Sequence, residues 1–171
     1  MLLNVDEWDK VSEKPKQLHS NMEKKYILNY FLGNLKEEWK KEIERIAIEN
    51  DCEIINILDK KSDFYSTGPS EFLYLEKNAF MICTDSFHSS VFAIIYDTPF
   101  IVFEREDAHA SMSSRLDTLL KKFKLENRKF NGKITNDLLI DEFIHTKEIL
   151  ENERKKSINF LKNALEEQKK M

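Results

Sequence analysis

The sequence has 171 residues, which is enough for one domain with a hydrophobic core of its own. Its composition, 41% hydrophobic and 34% charged, is typical of a globular protein with a heavily charged surface. The formal net charge of −4 argues against nucleic-acid binding through a general positive field, so we expect no nucleic-acid partner.

Targeting signals and metal motifs are not evident. No apolar run approaches the roughly 20 residues that a membrane-spanning helix needs, and the N-terminal Met1-Leu2-Leu3 leads directly into an acidic segment. Both cysteines, Cys52 and Cys83, lie in apolar runs without a Cys or His partner at metal-ligand spacing. We therefore expect a cytoplasmic protein, with the inner membrane surface as an alternative location, that has no membrane span and binds no metal or cofactor.

The first half of the chain predicts strands that alternate with helices. Residues 1–25 carry no sustained hydrophobic period and are interpreted as a linker or N-terminal arm. From residue 26 onward, aromatic and branched runs alternate with amphipathic segments. The predicted elements are a strand at 26–32, a helix at 36–50, a strand at 53–58, a polar loop at 59–69, and a helix at 70–78 for which Ser70 is the N-cap.

The segment from Ala79 to Glu104 is the centre of the prediction. An apolar run at 79–83 is followed by the polar cluster Thr84–Ser90, by a second apolar run at 91–96, and by Pro99, which cannot continue a helix. A third apolar run at 100–103 completes a strand, helix, strand unit. Its polar turn lies at the carboxyl end of a strand, where ligands bind in open α/β sheets and where helix N-termini offer free N–H groups to anions.

The remaining segments continue the same alternation. The polar loop 104–111 follows a strand, so it lies at the same edge of the sheet as residues 85–88. Beyond it we predict a helix at 112–123, a short last strand at 125–130, a turn at Asn131-Gly132, and helices at 137–151 and 153–168. The fold class is therefore α/β, with an open, mostly parallel sheet covered by helices on both faces, and the domain comprises residues 26–171.

Donors, acceptors and one imidazole gather at the start of the helix that follows residue 83. Thr84, Asp85, Ser86, His88 and Ser89 surround a helix N-terminus, which favours a small phosphorylated or carboxylated ligand. Bidentate partners for such a ligand are available in Arg105, Arg115 and Arg128. Each residue also has a structural explanation: Asp85 suits a helix start, His88 suits a buried hydrogen bond, and an arginine suits a solvated surface.

Several common nucleotide and catalytic motifs are missing from the sequence. There is no Walker loop, no Gly-rich dinucleotide turn, no Gly-x-Ser-x-Gly elbow and no His-Glu-x-x-His metal helix. Because the chain has three glycines, a phosphate would have to be held by side chains and a helix end instead of a glycine loop.

These segments resemble the C-terminal half of the polysaccharide pyruvyl transferase family, in order along nearly the whole chain. The N-terminal residues Met1–Trp8 and the strand Tyr26–Leu32 resemble the family's crossover into that half. The other segments that carry the resemblance are Gly68–Leu73, Asn78-Ala79, Thr84–His88, Pro99-Phe100, Ser113–Leu116, Leu119-Leu120 and Arg128.

The resemblance implies one Rossmann-like lobe of a two-domain GT-B architecture. It also implies transfer of the enolpyruvyl unit of phosphoenolpyruvate to two hydroxyls of a glycan or lipid-linked sugar, which forms a pyruvate ketal in cell-surface polysaccharide synthesis. His88 and Asp85 are the catalytic candidates that it implies, and the donor-binding candidates are Ser86, Ser89, Arg105, Ser113 and Arg115.

The sequence departs from the family pattern in three respects. Ser89 stands where relatives commonly have glycine, and Ser86-Phe87-His88 stands where some have Arg-Leu-His, which removes a cation from the donor site. A GT-B enzyme forms its site between two lobes, and we expect this chain to lack the N-terminal lobe and to be inactive alone. The alternatives are a non-catalytic α/β binding module and a nucleotide-sugar glycosyltransferase lobe, for which Glu71 is the one suggestive residue.

Overall fold

The computed structural model describes residues 2–18, 25–105, 110–140 and 143–168. Helices and strands alternate along most of this length. In chain order they are α1 (Val5–Asp9), β1 (Tyr26–Tyr30), α2 (Glu37–Glu49), β2 (Glu53–Asn56), a 3₁₀ turn (Asp63–Ser66), α3 (Pro69–Asn78), β3 (Met81–Thr84), α4 (Phe87–Tyr96), β4 (Phe100–Val102), α5 (Ala110–Phe123), a 3₁₀ turn (Glu126–Arg128), α6 (Asp137–Ile140) and α7 (Ile144–Gln168).

The strands of the described residues form one four-stranded sheet in the order β2-β1-β3-β4. Every neighbouring pair is parallel, which confirms the predicted sheet; Leu28 is opposite Ile55 on one side and Ile82 on the other. The strand order changes direction between β1 and β3. The carboxyl ends of these two strands therefore flank the crevice where open α/β sheets bind ligands.

Successive side chains of each strand enter cores on opposite faces of the sheet, as the pleat requires. Leu28 and Ile82 join the larger core with side chains of α3, α4, α5 and α7. Their neighbours Ile27 and Met81 join the smaller core with α2 and α6. All four side chains are fully buried, so the predicted helices on both faces are confirmed. This arrangement explains why β1, β3 and β4 are mostly apolar instead of alternating with polar residues.

The N-terminal segment contains a helix that the hydrophobic pattern did not predict. In α1 the Asn4 side chain accepts from the Glu7 N–H while the Glu7 carboxylate accepts from the Asn4 N–H, a reciprocal cap. Trp8 packs edge-on against Phe92 of α4 at 5.1 Å between ring centroids. The segment is anchored to α3 and α4 by tertiary contacts, and a five-residue helix is too short to show a period of its own.

Helix α3 begins earlier than predicted, at Pro69 with Gly68 as the N-cap instead of at Ser70. Proline suits the first helical position because its missing N–H would have no partner there. The Glu71 carboxylate accepts the Gly68 N–H at 2.9 Å and so closes the cap. Glu71, the residue that suggested a nucleotide sugar, thus has a structural role.

The predicted last strand is wrong. Residues 126–128 form a 3₁₀ turn, and a single parallel bridge joins Lys129 to Val102 of β4. The left-handed backbone of Lys124 turns the chain, and the Arg128 N–H donates to the Leu125 carbonyl at 2.9 Å. The polar Glu126-Asn127-Arg128 therefore closes a turn instead of pairing along β4.

The predicted boundary between the two C-terminal helices is also wrong. Helix α7 continues for 25 residues through positions 151–153, and the predicted start at 137 belongs to the separate short α6. No proline or glycine interrupts residues 144–168, so nothing local ends the helix. Among the described residues, no helix combines the length and the apolar character that crossing a bilayer requires.

Candidate functional site

Asp85 follows β3 and connects the two strands that flank the crevice. Its Oδ1 accepts the Leu32 N–H at 2.7 Å and its Oδ2 accepts the Gly33 N–H at 2.8 Å. Arg105, which follows β4, brings its Nε to 3.9 Å from the same Oδ2. The side chain of Asp85 is 2% exposed. Within the described residues its carboxylate is therefore bonded to the loop after β1 and not to the imidazole of His88.

Gly33 allows this close approach. A Cβ at Gly33 would lie 2.2 Å from Cδ of Arg105 and 3.1 Å from Oδ2 of Asp85. The first distance is far inside van der Waals contact, so any larger side chain would displace the arginine from the carboxylate. The loop after β1 thus passes directly against the side chains that follow β3 and β4, and the absence of a Cβ at Gly33 leaves room for the Arg105 side chain there.

The polar cluster after β3 forms the N-terminal cap of α4, as predicted. The Thr84 hydroxyl donates to the Tyr30 carbonyl at 2.7 Å and accepts the Ser86 N–H at 3.0 Å. Ser86 is the N-cap residue, and the Ser90 hydroxyl donates to its carbonyl at 2.9 Å. These serines and the threonine are buried, so their hydroxyls hold the turn together.

Ser89 lies in the first turn of α4 and makes a buried contact with Glu76 of α3. Its hydroxyl donates to Oε1 of Glu76 at 2.5 Å, and both side chains are fully buried. The other carboxylate oxygen, Oε2, has no hydrogen-bond partner among the described residues. Burial raises the pKa of Glu76 well above its ordinary value, and the hydrogen bond from Ser89 opposes this only in part. Glu76 is therefore protonated over a pH range where an exposed glutamate is ionised.

The protonation of Glu76 makes stability depend on pH. Above about pH 4.3 the unfolded chain releases this proton while the folded chain retains it, so the unfolding free energy of the wild type should fall by up to about 1.4 kcal/mol per pH unit until the folded pKa is passed. Glu76→Gln removes the titrating carboxyl group and therefore its contribution to the pH dependence of the unfolding free energy. When unfolding by urea is measured from pH 4.5 to 8, the unfolding free energy of the variant should increase relative to that of the wild type as the pH rises.

The exposed Glu44→Gln substitution is the control for the Glu76 comparison. Its unfolding free energy should follow that of the wild type at every pH, because the Glu44 side chain lies on the solvent-exposed face of α2. Parallel curves for Glu76→Gln and the wild type would show that Glu76 is ionised in the folded protein.

His88 and Arg115 face a common surface groove. His88 lies in the first turn of α4 and is exposed, and Arg115 projects from α5. The guanidinium of Arg115 stacks over the ring of Phe87, with its central carbon 4.5 Å from the ring centroid. The groove has a volume of about 490 Å³ and is bounded by α4, α5 and α7. An arginine held on an aromatic face keeps its N–H edge free to bind an anion in two places.

The far end of this groove carries a bound pair of charges. Lys122, in the last turn of α5, lies 2.5 Å from the carboxylate of Glu153 on α7. Hydrogen bonds from Lys122 and Lys156 lower the pKa of Glu153. Since Lys122 is paired with Glu153, Arg115 is the lysine or arginine side chain of the groove that remains to attract an anion among the described residues.

The other predicted residues lie in different places. Arg128 is fully buried, donates to the Leu138 carbonyl and stacks on Phe143, so it supports the core instead of a ligand. The side chain of Ser113 lies outside the described residues. The same is true of His19 and His109, whereas the His145 Nε2 lies 2.9 Å from the Phe123 carbonyl oxygen.

Sequence reasoning missed Glu76 and the aromatic support under Arg115. A signal for Glu76 was present, because positions 69, 72, 73 and 76 share one face of a helix and Phe72 and Leu73 mark that face as buried. No local pattern could pair Phe87 with Arg115, since the two are distant in sequence and belong to different helices. Within the described residues, no three His, Cys, Asp or Glu side chains come together as a metal site.

Comparisons with known proteins bear on this site. A model of the family described as polysaccharide pyruvyl transferase matches residues 1–107, more than half of the 171-residue chain. The matched segment includes all four strands together with Asp85, Ser86, His88, Ser89 and Arg105, and it ends before α5. Comparison with curated proteins and with solved structures found no match. On the strength of this match, the chain belongs to the polysaccharide pyruvyl transferase family.

Proposed function

We propose that this protein takes part in polysaccharide pyruvylation, with phosphoenolpyruvate as the donor and two hydroxyls of one sugar as the acceptor. The acceptor belongs to a cell-surface glycan or its lipid-linked precursor. Membership of the family supports a transferase that acts on a glycan. The proposal extends this to the donor, the ketal product and a cytoplasmic site of action.

One observation carries the assignment of the donor site: His88 and Arg115 come from different helices and line the same groove. Phosphoenolpyruvate carries a phosphate and a carboxylate, so it needs a cation of fixed geometry and a nearby proton donor. Arg115, held on Phe87, supplies the first, and the exposed imidazole of His88 supplies the second. The N-terminus of α4 adds free backbone N–H groups beside His88.

We assign supporting roles to the other candidates in the β3–α4 turn. Asp85 and Arg105 hold the loop after β1 in place, and Ser86 and Ser89 hold the first turn of α4. In this proposal Asp85 acts on the donor site through the position of the turn that carries His88. A group that holds the backbone of a catalytic residue affects catalysis without touching the substrate.

The reaction balances with these groups. His88 protonates the methylene carbon of the enol phosphate while the first sugar hydroxyl adds to the adjacent carbon, and the proton of that hydroxyl returns to His88. The second hydroxyl then displaces inorganic phosphate from the same carbon, and its proton leaves with the phosphate. One phosphoenolpyruvate and two hydroxyls thus yield one cyclic ketal and one phosphate. Arg115 stabilises the phosphate as it takes up the bonding electrons. In the two-lobe GT-B arrangement, which is part of this proposal, the acceptor enters from a second lobe and this chain alone binds the donor without turnover.

The proposal can be tested by titrating the chain with phosphoenolpyruvate and, separately, with a nucleotide sugar. The NMR resonances of the histidine rings are recorded during each titration. Phosphoenolpyruvate alone should shift the His88 signals. Arg115→Met should weaken its binding by at least about tenfold, because hydrogen bonds to charged groups contribute roughly 1.5–3 kcal/mol. Lys121→Met, also on α5 but outside the groove, is the matched control and should leave binding unchanged.

The alternative outcomes of this titration are distinct. A response to the nucleotide sugar alone would favour a glycosyltransferase lobe. If neither ligand changes the histidine signals, the result would favour a non-catalytic binding module and would count against the proposed donor site.

A further inference from the structure

Glu76 of α3 is bonded to residues at both ends of α4. Its backbone carbonyl accepts the hydroxyl of Thr98, which lies just after α4, at 3.1 Å. Its side chain reaches the first turn of α4, where Oε1 accepts the Ser89 hydroxyl at 2.5 Å. All three residues are buried. Because the backbone of Glu76 is bonded at one end of α4, its side chain helps to set the position of the turn at the other end.

The first turn of α4 has two sides with different surroundings. On the buried side, the cap bond from the Ser89 N–H to Oγ of Ser86 is 3.5 Å, longer than a normal N–H···O bond. The hydroxyl of Ser89 makes the much shorter bond to Glu76. On the other side, the neighbouring His88 is exposed and lines the groove together with Arg115. One helical turn therefore connects Glu76 to the candidate donor site.

The surroundings of the Glu76 carboxyl group suit its neutral form. Within the described residues, the Ser89 hydroxyl is the one hydrogen-bond donor to this group, and Oε2 has no partner. Lys77, the next residue along α3, is paired with Asp9 of α1 at 2.6 Å. A negative charge on Glu76 would need further donors, which a shift of the α4 turn or the entry of water would supply.

The other titratable groups around Glu76 are mostly tyrosines: Tyr26 and Tyr30 of β1, Tyr74 of α3 and Tyr96 of α4, with Asp9 of α1 beside Tyr96. Burial raises the pKa of Tyr26 and Tyr30 and raises that of Tyr96 to about 12. These three hydroxyls therefore keep their protons over the range in which buried glutamates ionise. In that range the change of charge in the buried contact between α3 and α4 belongs to Glu76.

We propose that Glu76 is a positioning residue for His88. Its neutral carboxyl group, bonded to Ser89, holds the first turn of α4 so that His88 and Arg115 face a common ligand, and loss of its proton displaces that turn. Anion binding in the groove therefore weakens as Glu76 ionises. The part that concerns binding rests on the donor site proposed above, whereas the coupling of Glu76 to His88 does not.

The coupling can be tested without a ligand by recording the NMR resonances of the histidine rings from about pH 5 to 9.5, a range that includes the ionisation of buried glutamates. The His88 signals of the wild type should change in two steps, one from the imidazole itself and one from Glu76. Glu76→Gln, which keeps a neutral acceptor for Ser89, should lose the second step. The exposed Glu44→Gln is the matched control and should keep it.

Two results of this pH titration would overturn the proposal. One is an identical course of the His88 signals in the wild type and in Glu76→Gln. The other is a second step of equal size at His145 of α7, because that would indicate a change of the whole domain instead of the α4 turn.

Binding of phosphoenolpyruvate over the same pH range tests the consequence for the groove. The ionisations of the donor and of His88 affect the wild type and Glu76→Gln alike, so the ratio of the wild-type dissociation constant to that of the variant isolates Glu76. This ratio should rise at least about twofold across the second step, the lower end of the coupling within one hydrogen-bond network. A ratio that stays constant would overturn the proposal and leave the donor site intact. If no form of the protein binds phosphoenolpyruvate, the donor site is contradicted, and the histidine titration decides the role of Glu76.

Ser89→Ala separates the position of the turn from the charge of Glu76. At about pH 5, where Glu76 is neutral, this variant should also weaken phosphoenolpyruvate binding at least about twofold, because it removes the same contact without adding a charge. Unchanged binding in Ser89→Ala at this pH would mean that Glu76 acts through its charge alone, and it would overturn the positioning role.

Discussion

Asp85→Ala is expected to destabilise the protein by about 3–5 kcal/mol, the loss that follows when one partner of a buried charged network is removed. The substitution leaves the Leu32 and Gly33 N–H groups without their acceptor and the Arg105 guanidinium without the facing carboxylate. It also frees the loop after β1 from the turn after β3. Urea unfolding followed by circular dichroism measures the change.

Asp6→Ala provides the comparison, because Asp6 is an exposed carboxylate in the first turn of α1. Its loss should cost less than about 1 kcal/mol, as is usual for exposed charges at helix ends. A similarly small loss for Asp85→Ala would mean that the two amides and the arginine readily find other partners. In that case Asp85 would not be what holds the β1 loop against β3.

His88→Ala should reduce pyruvyl transfer at least about 100-fold, the lower end of what a positioned proton donor contributes. Because the side chain is exposed, the variant should fold like the wild type. The measurement is ketal formation from phosphoenolpyruvate and a sugar acceptor in a form of the protein that catalyses the reaction. The loss in His88→Ala should fall on kcat, whereas Arg115→Met should both lower kcat and raise the KM for phosphoenolpyruvate, because Arg115 binds the donor and stabilises the departing phosphate.

The matched control for His88 is His145→Ala, another exposed histidine, which contacts the Phe123 carbonyl and does not line the groove. It should leave transfer unchanged. If the His88 variant forms ketal at the normal rate, the catalytic role proposed for His88 is wrong. Loss of transfer in both variants would indicate a general effect of removing an imidazole from the surface of this domain.

The two substitutions distinguish two polar residues of the turn after β3 that look alike in the sequence. Asp85 and His88 are three residues apart, yet one is buried against the loop after β1 and the other faces the groove. We therefore expect Asp85→Ala to act mainly on stability and His88→Ala mainly on transfer. Because Asp85 also positions the turn that carries His88, the double variant should lose less transfer than the sum of the two single effects on the activation free energy.

Local patterns were sufficient for the parallel sheet. Apolar runs at Tyr26–Tyr30, Met81–Thr84 and Phe100–Val102 became neighbouring strands because each is buried on both faces and is separated from the next by a helix. In a hairpin with one solvent-exposed face, half of the apolar side chains in such a run would remain exposed. The same patterns failed at 125–130, where apolar residues at the ends of the run enter the core while its polar centre closes a turn.

The sequence by itself determined the alternation of strands and helices, the presence of a polar cap at the start of α4 and the position of the polar turn at a strand end, because these depend on neighbours within a few residues. Only the tertiary structure decided which polar side chains remain available to a ligand. Asp85 and Ser89 are engaged by Gly33 and Glu76, whereas Arg115 approaches His88 from another helix. Those partners are brought together by packing across the sheet and between helices, and spacing along the chain carries no information about such contacts.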